Sequence, residues 1–182
     1  MKVAGFFEGP SDRLSIPTLM QKLRDDLKIE KRQVPAGDML APRKMRAHVG
    51  PLLVLHPDIE RILIFRDCEC TEPESLYKDA RLVLKLLKDS FPKVKTSFVI
   101  VVHALESWLM GDPAAVEAVL GADAAKGLPA NPESECRPKE CLERLAPNFD
   151  YMRDDPRLAE RADARSILSK CPSFRVVRTG LS

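Results

Sequence analysis

The sequence predicts an α/β fold, with a mostly parallel sheet flanked by helices and a C-terminal helical extension. Short apolar runs alternate with segments of helical spacing through the first two thirds of the 182 residues. Each run ends at a turn rich in glycine, proline or acidic residues. The last run, "SFVIVV", lacks polar alternation, as is typical of parallel strands that are buried on both faces.

The elements follow in chain order from these patterns. Strands are predicted over residues 3–7, 29–34, 62–65 and 97–102. Helices are predicted from Leu14, over 43–55 with an interruption at Gly50-Pro51, over 73–90, and from Pro113 behind an Asp112 cap. Ser11 or Asp12 is expected to N-cap the first of these helices. The β-α alternation therefore predicts a core over residues 1–121 and a helical extension over 122–182 packed on that core.

Composition limits the functional classes. A net charge of +2 is too small to indicate a nucleic-acid binder by itself. No apolar run is long enough to span a membrane, and the acids at Glu8 and Asp12 argue against a signal peptide. Five cysteines, an odd number, favour reduced thiols and a cytoplasmic protein. The oligomeric state stays open.

Acidic side chains follow three of the predicted strands. Glu8 comes after the first, Asp67 and Glu69 after the third, and His103 and Glu106 after the fourth. Ligand sites in open parallel sheets form at the carboxyl ends of the strands, so these groups are expected to converge. Oxygen ligands in that number suit Mg²⁺ or Mn²⁺, which could hold a phosphate and activate water. Asp12, His103 and Asp112 are possible accessory groups, with a helix cap the simpler interpretation of Asp112.

The stretch "FRDCECT" poses a choice between thiolate and carboxylate ligands. In an extended segment, Asp67 and Glu69 would point to one side and Cys68 and Cys70 to the other. That alternation favours the carboxylates as ligands and the thiols as packing groups. A zinc site built from cysteines remains an alternative, although the C-x-C spacing is unusual for one.

Two further stretches carry a family resemblance. "FFEGPSD" followed by "ILIFRDCE" resembles the Toprim domain, with Glu8 at the position of its glutamate and Asp67 at that of its first aspartate. Glu69 stands where that family usually has a second aspartate. "HALESWLMGDP" and "CPSF" resemble a Toprim-like uncharacterised bacterial family, related to the OLD nucleases and the RloB abortive-infection proteins.

The resemblance implies a divalent-metal-dependent phosphodiester hydrolase, a nuclease-like effector of a bacterial defence or mobile-element system. Asp67 and Glu69 would bind the cation with Glu106, and Glu8 would act as general base or as a ligand of a second metal. The family resemblance also implies an ATPase partner. Four basic residues are candidates for steering a nucleic-acid backbone: Arg13, Lys44, Arg46 and Arg66. The alternative is a non-catalytic module that binds metal or nucleotide and acts with the ATPase.

Overall fold

The computed structural model describes residues 1–182 and contains a single four-stranded sheet with helices on both faces. The strands are β1 (Lys2–Phe7), β2 (Lys28–Gln33), β3 (Arg61–Asp67) and β4 (Lys95–Val101). The helices are α1 (Pro10–Leu23), α2 (Ala36–Met39), α3 (Pro42–Leu55), α4 (Pro73–Ser90), α5 (Leu105–Leu109), α6 (Pro113–Leu120), α7 (Ala122–Lys126), α8 (Pro138–Leu145), α9 (Tyr151–Arg161), α10 (Ala164–Lys170) and α11 (Pro172–Gly180). The predicted α/β class and the four predicted strands are confirmed.

All strand pairs are parallel, and the order across the sheet is β2-β1-β3-β4. From β1 the chain crosses by α1 to β2, whereas from β3 it crosses by α4 to β4 on the other side of the sheet. The chain therefore leaves the carboxyl ends of β1 and β3 in opposite directions. This arrangement opens a crevice between the two strand ends, the usual place for a ligand in such sheets.

Side chains alternate between two hydrophobic cores, one on each face of the sheet. Val3, Phe7, Leu63 and Phe65 belong to the first core, which includes residues of α1, α5, α6, α9, α10 and α11. Their strand neighbours face a second core, formed with α2, α3 and α4. Asp67 continues the odd-numbered series of β3, so the strand pleat directs it to the face that carries α1 and α9.

The segment from Ala122 to Ser182 is helical throughout its regular structure and contributes to the first core. Its anchor is Trp108, which is fully buried and packs between the rings of Phe65 and Phe174. The indole Nε1–H donates a hydrogen bond of 2.7 Å to Ser173 Oγ. One face of the sheet is thus covered largely by helices from the last third of the chain.

Two local details differ from the predictions. Helix α3 runs without interruption through Gly50-Pro51. Pro51 removes an N–H that would bond to the carbonyl of Ala47, but both residues are exposed, so water can take the place of that donor. Gly9, not Ser11 or Asp12, is the N-cap of α1, and Asp12 accepts the Gly9 N–H from the third helical position.

The prediction that all thiols are reduced is wrong for two of them. Cys70 and Cys136 form a disulfide, with Cα atoms 5.1 Å apart. The bond joins the β3–α4 loop to the segment before α8. Cys68, Cys141 and Cys171 are free and buried. Cys68 packs in the second core and the other two in the first, so the zinc alternative has no thiolate cluster to support it.

No helix of the protein is both long enough and apolar enough to cross a membrane.

Candidate functional site

Carboxylates gather in the crevice at the carboxyl ends of β1 and β3. Glu8 directly follows β1, and Asp67 is the last residue of β3. Because the two strands are adjacent and parallel, both acids arrive at the same edge of the sheet. The charge of Glu8 is one of those that raise the pKa of Asp67, as expected for two acids on neighbouring strand ends.

Glu8 has one strong partner, the guanidinium of Arg66. Arg66 Nη1 donates to Glu8 Oε2 and also to the carbonyl oxygen of Asp67, at 2.6 Å in the second case. Burial raises the pKa of Glu8 and the Arg66 charge opposes that rise, while Asp12 and Glu69 add to it. Arg66 Nε is buried without a partner. The arginine thus neutralises one edge of the site, and its guanidinium retains an unused donor.

Asp12 lies in the first turn of α1, one turn after Glu8. Its Oδ2 accepts the backbone N–H of Gly9 at 2.8 Å, which fixes the carboxylate at the N-terminal end of a helix of 14 residues. The helix dipole there stabilises a negative charge. Burial nevertheless raises the pKa of Asp12. Asp12, an accessory candidate from the sequence, is therefore part of the cluster.

Glu106 enters the site from α5, which follows β4 after a three-residue turn. Its side chain is 6% exposed. Burial raises the pKa of Glu106 to about 7, with the charges of Asp12 and Glu143 adding to the effect and Lys139 opposing it. The group is thus poised between its two protonation states near neutral pH.

Asp155 comes from α9, far along the chain, and is 1% exposed. Ser11 Oγ donates a 2.6 Å hydrogen bond to Asp155 Oδ2. Oδ1 is buried and has no hydrogen-bond partner. The pKa of Asp155 is raised to about 8, chiefly by burial, with the charges of Glu106 and Asp12 adding to the effect. One oxygen of this carboxylate is held, and the other is left without a partner.

Five carboxylates thus share the site with few compensating charges. They are Glu8, Asp12, Asp67, Glu106 and Asp155. Burial and the neighbouring charges raise the pKa of Asp67 well above its ordinary value. The opposing cations are Arg66 at one side and Lys139 at the other. Lys139 also lies 3.3 Å above the ring of Tyr151. Such a group is stable only when protons or cations neutralise it.

Glu69 does not join this cluster. The β3 strand ends at Asp67, and Glu69 adopts a left-handed backbone conformation with φ of 50° and an exposed side chain. The predicted alternation through "DCEC" is therefore wrong beyond Cys68. Only the electrostatic effect of Glu69 on Glu8 connects it to the site.

His103 also has a left-handed backbone, with φ of 63°, and it ties the two neighbouring loops together. The Glu69 N–H donates to the His103 carbonyl at 2.8 Å, and His103 Nδ1 donates in return to the carbonyl oxygen of Glu69. The ring thus has its proton on Nδ1. Its backbone N–H donates to Cys68 Sγ at 3.1 Å. His103 shapes the edge of the site rather than entering it.

The other predicted residues lie outside the cluster. Asp112 caps α6 through Ala114 N–H at 3.2 Å and accepts the Asp163 N–H at 2.7 Å, so both its oxygens serve the fold. Lys44 pairs with Asp38 at 2.8 Å.

The remaining two predicted phosphate-binding residues are Arg46 on α3 and Arg13 on α1. Arg46 lines a cleft with Ser90 and Phe91. Ser90 and Phe91 lie at the far end of α4, about 27 Å from the start of that helix beside the site. Arg13 is exposed on the first turn of α1 and remains near the site edge. Of the four predicted basic residues, Arg66 and Arg13 are thus positioned near the carboxylates.

The donor set suits a hard divalent cation, although the side chains are not already arranged around one. As they stand, no three His, Cys, Asp or Glu side chains form a group that could hold a metal ion. Glu8 is turned toward Arg66, and Asp12 toward Gly9. The partnerless Asp155 Oδ1, the all-oxygen donors and the unbalanced negative charge match what Mg²⁺ or Mn²⁺ requires. Direct coordination by Glu8 would need its carboxylate to turn from the guanidinium.

Sequence reasoning missed Asp155 and Lys139, and it predicted Ser11 only as a possible helix cap. The sequence does contain a signal for Asp155, because this acid is in helical register with Leu158 and Ala159 on the buried face of α9. An acid on such a stripe requires a partner or a function. Nothing comparable marks Ser11 or Lys139, whose neighbours are set by tertiary packing.

Comparison with known proteins gives one match. A family model described as "Domain of unknown function (DUF4276)" matches residues 7–182. No curated protein and no solved structure matches the chain.

Proposed function

We propose that this chain, which belongs to the DUF4276 family of unknown function, is a divalent-cation-dependent phosphodiester hydrolase acting on nucleic acid. The support for this proposal comes from the site itself. The observation that carries the proposal is the cluster of five carboxylates at the switch point between β1 and β3, with raised pKa values and only two opposing cations. Carboxylates collected in this way at a sheet edge are suited to a cation that in turn binds phosphate oxygens.

Asp67 and Glu106 would hold the cation, with Asp12 at its side. Both named ligands belong to elements that directly end or follow a strand, so their main chains are fixed by the sheet. A bound Mg²⁺ or Mn²⁺ would supply charge stabilisation to a phosphate and acidify a water molecule. The Toprim-like resemblance of the Glu8 and Asp67 turns supports the same assignment and remains part of the proposal.

Glu8 is the group best placed to take the proton from an attacking water. It is partly exposed, and burial raises its pKa above the ordinary value for a glutamate, which makes its carboxylate a stronger base. Arg66 would stabilise the charge that develops on the phosphate. Its unused Nε–H gives it a donor for that purpose without breaking the contact to the Asp67 carbonyl.

The N-terminal end of α1 adds to the affinity for an anion. Helix α1 begins at Pro10, directly after Glu8 and Gly9, and its 14 residues present their positive end to the site. Arg13 on its first turn would meet the backbone of a bound nucleic acid. Binding is therefore expected to weaken as the salt concentration rises.

The decisive experiment is incubation of the purified protein with single- and double-stranded DNA and RNA in the presence of Mg²⁺ or Mn²⁺. Cleavage should depend on the cation, should stop with EDTA, and should be lost in the double variant Glu8→Gln, Asp67→Asn. The double variant Glu117→Gln, Glu160→Gln, at two exposed positions, is the matched control for loss of two acidic residues. Equal cleavage by the wild type and the double variant would exclude this site as the source of activity.

One observation favours a second candidate, a non-catalytic module that binds metal or nucleotide and serves an ATPase partner. Of the two acids in the "DCE" stretch, only Asp67 reaches the cluster, and Glu69 is exposed. Calorimetric titration of Mn²⁺ beside the cleavage assay separates the candidates. Cation binding without cleavage of any nucleic acid, also with a co-purified ATPase, would favour this second function. The link to defence or mobile-element systems stays with the resemblance.

A further inference from the structure

The buried hydrogen bond between Ser11 and Asp155 joins two parts of the chain that are 144 residues apart. Ser11 is 6% exposed and Asp155 is 1% exposed, so neither group is solvated as a surface side chain would be. The hydroxyl also lies 3.4 Å from the carbonyl oxygen of Tyr151, the first residue of α9. Helix α9 is thereby attached to the first turn of α1, which carries Asp12.

A buried carboxylate used only for structure normally has partners for both oxygens. Asp154, the preceding residue, shows the contrast: it is 1% exposed and receives hydrogen bonds from Asp150 N–H, Arg153 and Arg157. Asp155 Oδ1 receives none. The charges that act on Asp155 are the carboxylates of Glu106 and Asp12, with Lys139 opposing them. An oxygen so placed is free to accept a further partner, and the surrounding carboxylates favour a positively charged one.

We propose that Asp155 is a further ligand of the divalent cation in this site, supplied by helix α9 and positioned by Ser11. It would bind through the free Oδ1 while Ser11 holds Oδ2 and fixes the orientation of the carboxylate. The C-terminal helices then complete the cation site as well as covering the sheet. This inference rests on the proposed function only in taking a divalent cation as the ligand of the cluster.

The ligand chemistry follows from the donors. Asp155, Glu106 and Asp12 offer only carboxylate oxygens, and no thiol or imidazole faces them among the groups that act on their pKa values. Hard cations with oxygen preference, Mg²⁺ and Mn²⁺, fit such a set better than Zn²⁺ or Cu²⁺. Lys139 at the rim keeps the region from accumulating further negative charge and stays outside the coordination set.

The test is calorimetric titration of Mn²⁺ alone into the full chain, comparing the wild type with Asp155→Asn. Glu160→Gln is the matched control, because it removes one acidic charge from the same helix at an exposed position. Asp155→Asn should weaken Mn²⁺ binding at least about tenfold, in the range seen when ordered groups around a metal are removed. Glu160→Gln should stay within about twofold of the wild type, since screened surface charges contribute little.

The positioning role of Ser11 has its own readout. Ser11→Ala removes the donor to Asp155 without changing any carboxylate and should also weaken Mn²⁺ binding, whereas Ser11→Thr keeps a hydroxyl and should restore it. This pair of variants decides the question if Asp155→Asn does not fold. Unchanged affinity in Ser11→Ala would then overturn the inference.

The outcomes separate this inference from the proposed function. Wild-type Mn²⁺ affinity in a folded Asp155→Asn, or lower stability with unchanged affinity, would identify a purely structural acceptor for Ser11 and overturn the inference. Absence of Mn²⁺ binding by the wild type would overturn it too. Binding that depends on Asp155, without cleavage of any nucleic acid, supports the inference and counts only against the hydrolase.

Discussion

Replacing Glu106 with glutamine should reduce the pH dependence of stability in the cation-free protein. Burial raises the pKa of Glu106 from an ordinary 4.5 to about 7. The folded protein therefore holds this proton more tightly than the unfolded chain. The resulting stabilisation is complete below pH 4.5 and is lost as the pH rises through 7, because the carboxyl must then ionise inside the site.

The magnitude follows from the same two values. A rise of the Glu106 pKa from 4.5 to about 7 corresponds to about 3 kcal/mol in full, most of which is lost between pH 5 and pH 8. Glutamine cannot ionise, so Glu106→Gln should gain roughly 2 to 3 kcal/mol relative to the wild type over that interval. A constant cost of the substitution cancels, because only the change with pH is compared.

Urea unfolding at pH 5 and pH 8 in the presence of EDTA measures this difference. The carboxylates with lowered pKa values, Asp26, Asp38, Asp58 and Asp154, lose their stabilising effect at more acidic pH and are shared by both proteins. Glu117→Gln, exposed on α6, should leave the pH dependence unchanged. An equal difference between Glu106→Gln and the wild type at the two pH values would refute the reasoning.

Three further predictions concern other parts of the structure. Asp67→Asn should abolish cation-dependent cleavage. Glu69→Gln should retain activity within about threefold, since an exposed charge acts only through screened interactions. Loss of activity in both variants would show that Glu69 belongs to the site. Cys70→Ser, which opens a loop closed over 66 residues by the bond to Cys136, should cost up to about 4 kcal/mol in urea unfolding under non-reducing conditions. A matching stability for wild type and variant would show that the disulfide does not form. Trp108→Ala should cost about 3 to 5 kcal/mol in the same assay, because the side chain is fully buried, and a cost below 1 kcal/mol would contradict the packing described.

The parts of the site that the sequence predicted depend on local patterns. A short apolar run followed by Gly9-Pro10 marks the end of β1, and the acid before that turn must then lie at the sheet edge. The same reasoning applies to Asp67 and Glu106, which end or follow strands. Parallel order then brings them to one edge without further information.

The rest depends on interactions over long sequence distances or on single backbone angles. The left-handed conformation of Glu69 ends the alternation two residues after Asp67, and no pattern in "DCEC" predicts it for a residue other than glycine. Asp155 meets Ser11 across 144 residues, and Cys70 meets Cys136 across 66. The packing of the whole chain decides which helix covers which face of the sheet. Composition and periodicity do not predict that packing.

The pairing of α1 with α9 sets a limit on when the proposed cation site can be completed during synthesis. Ser11 leaves the ribosome 144 residues before Asp155. At about 5 to 20 residues per second, that interval lasts roughly 7 to 29 s. Until then the carboxylates at the edge of the sheet lack Asp155 and are not covered by α9. A nascent chain beside its own messenger RNA would therefore lack the proposed cation site until α9 has been made.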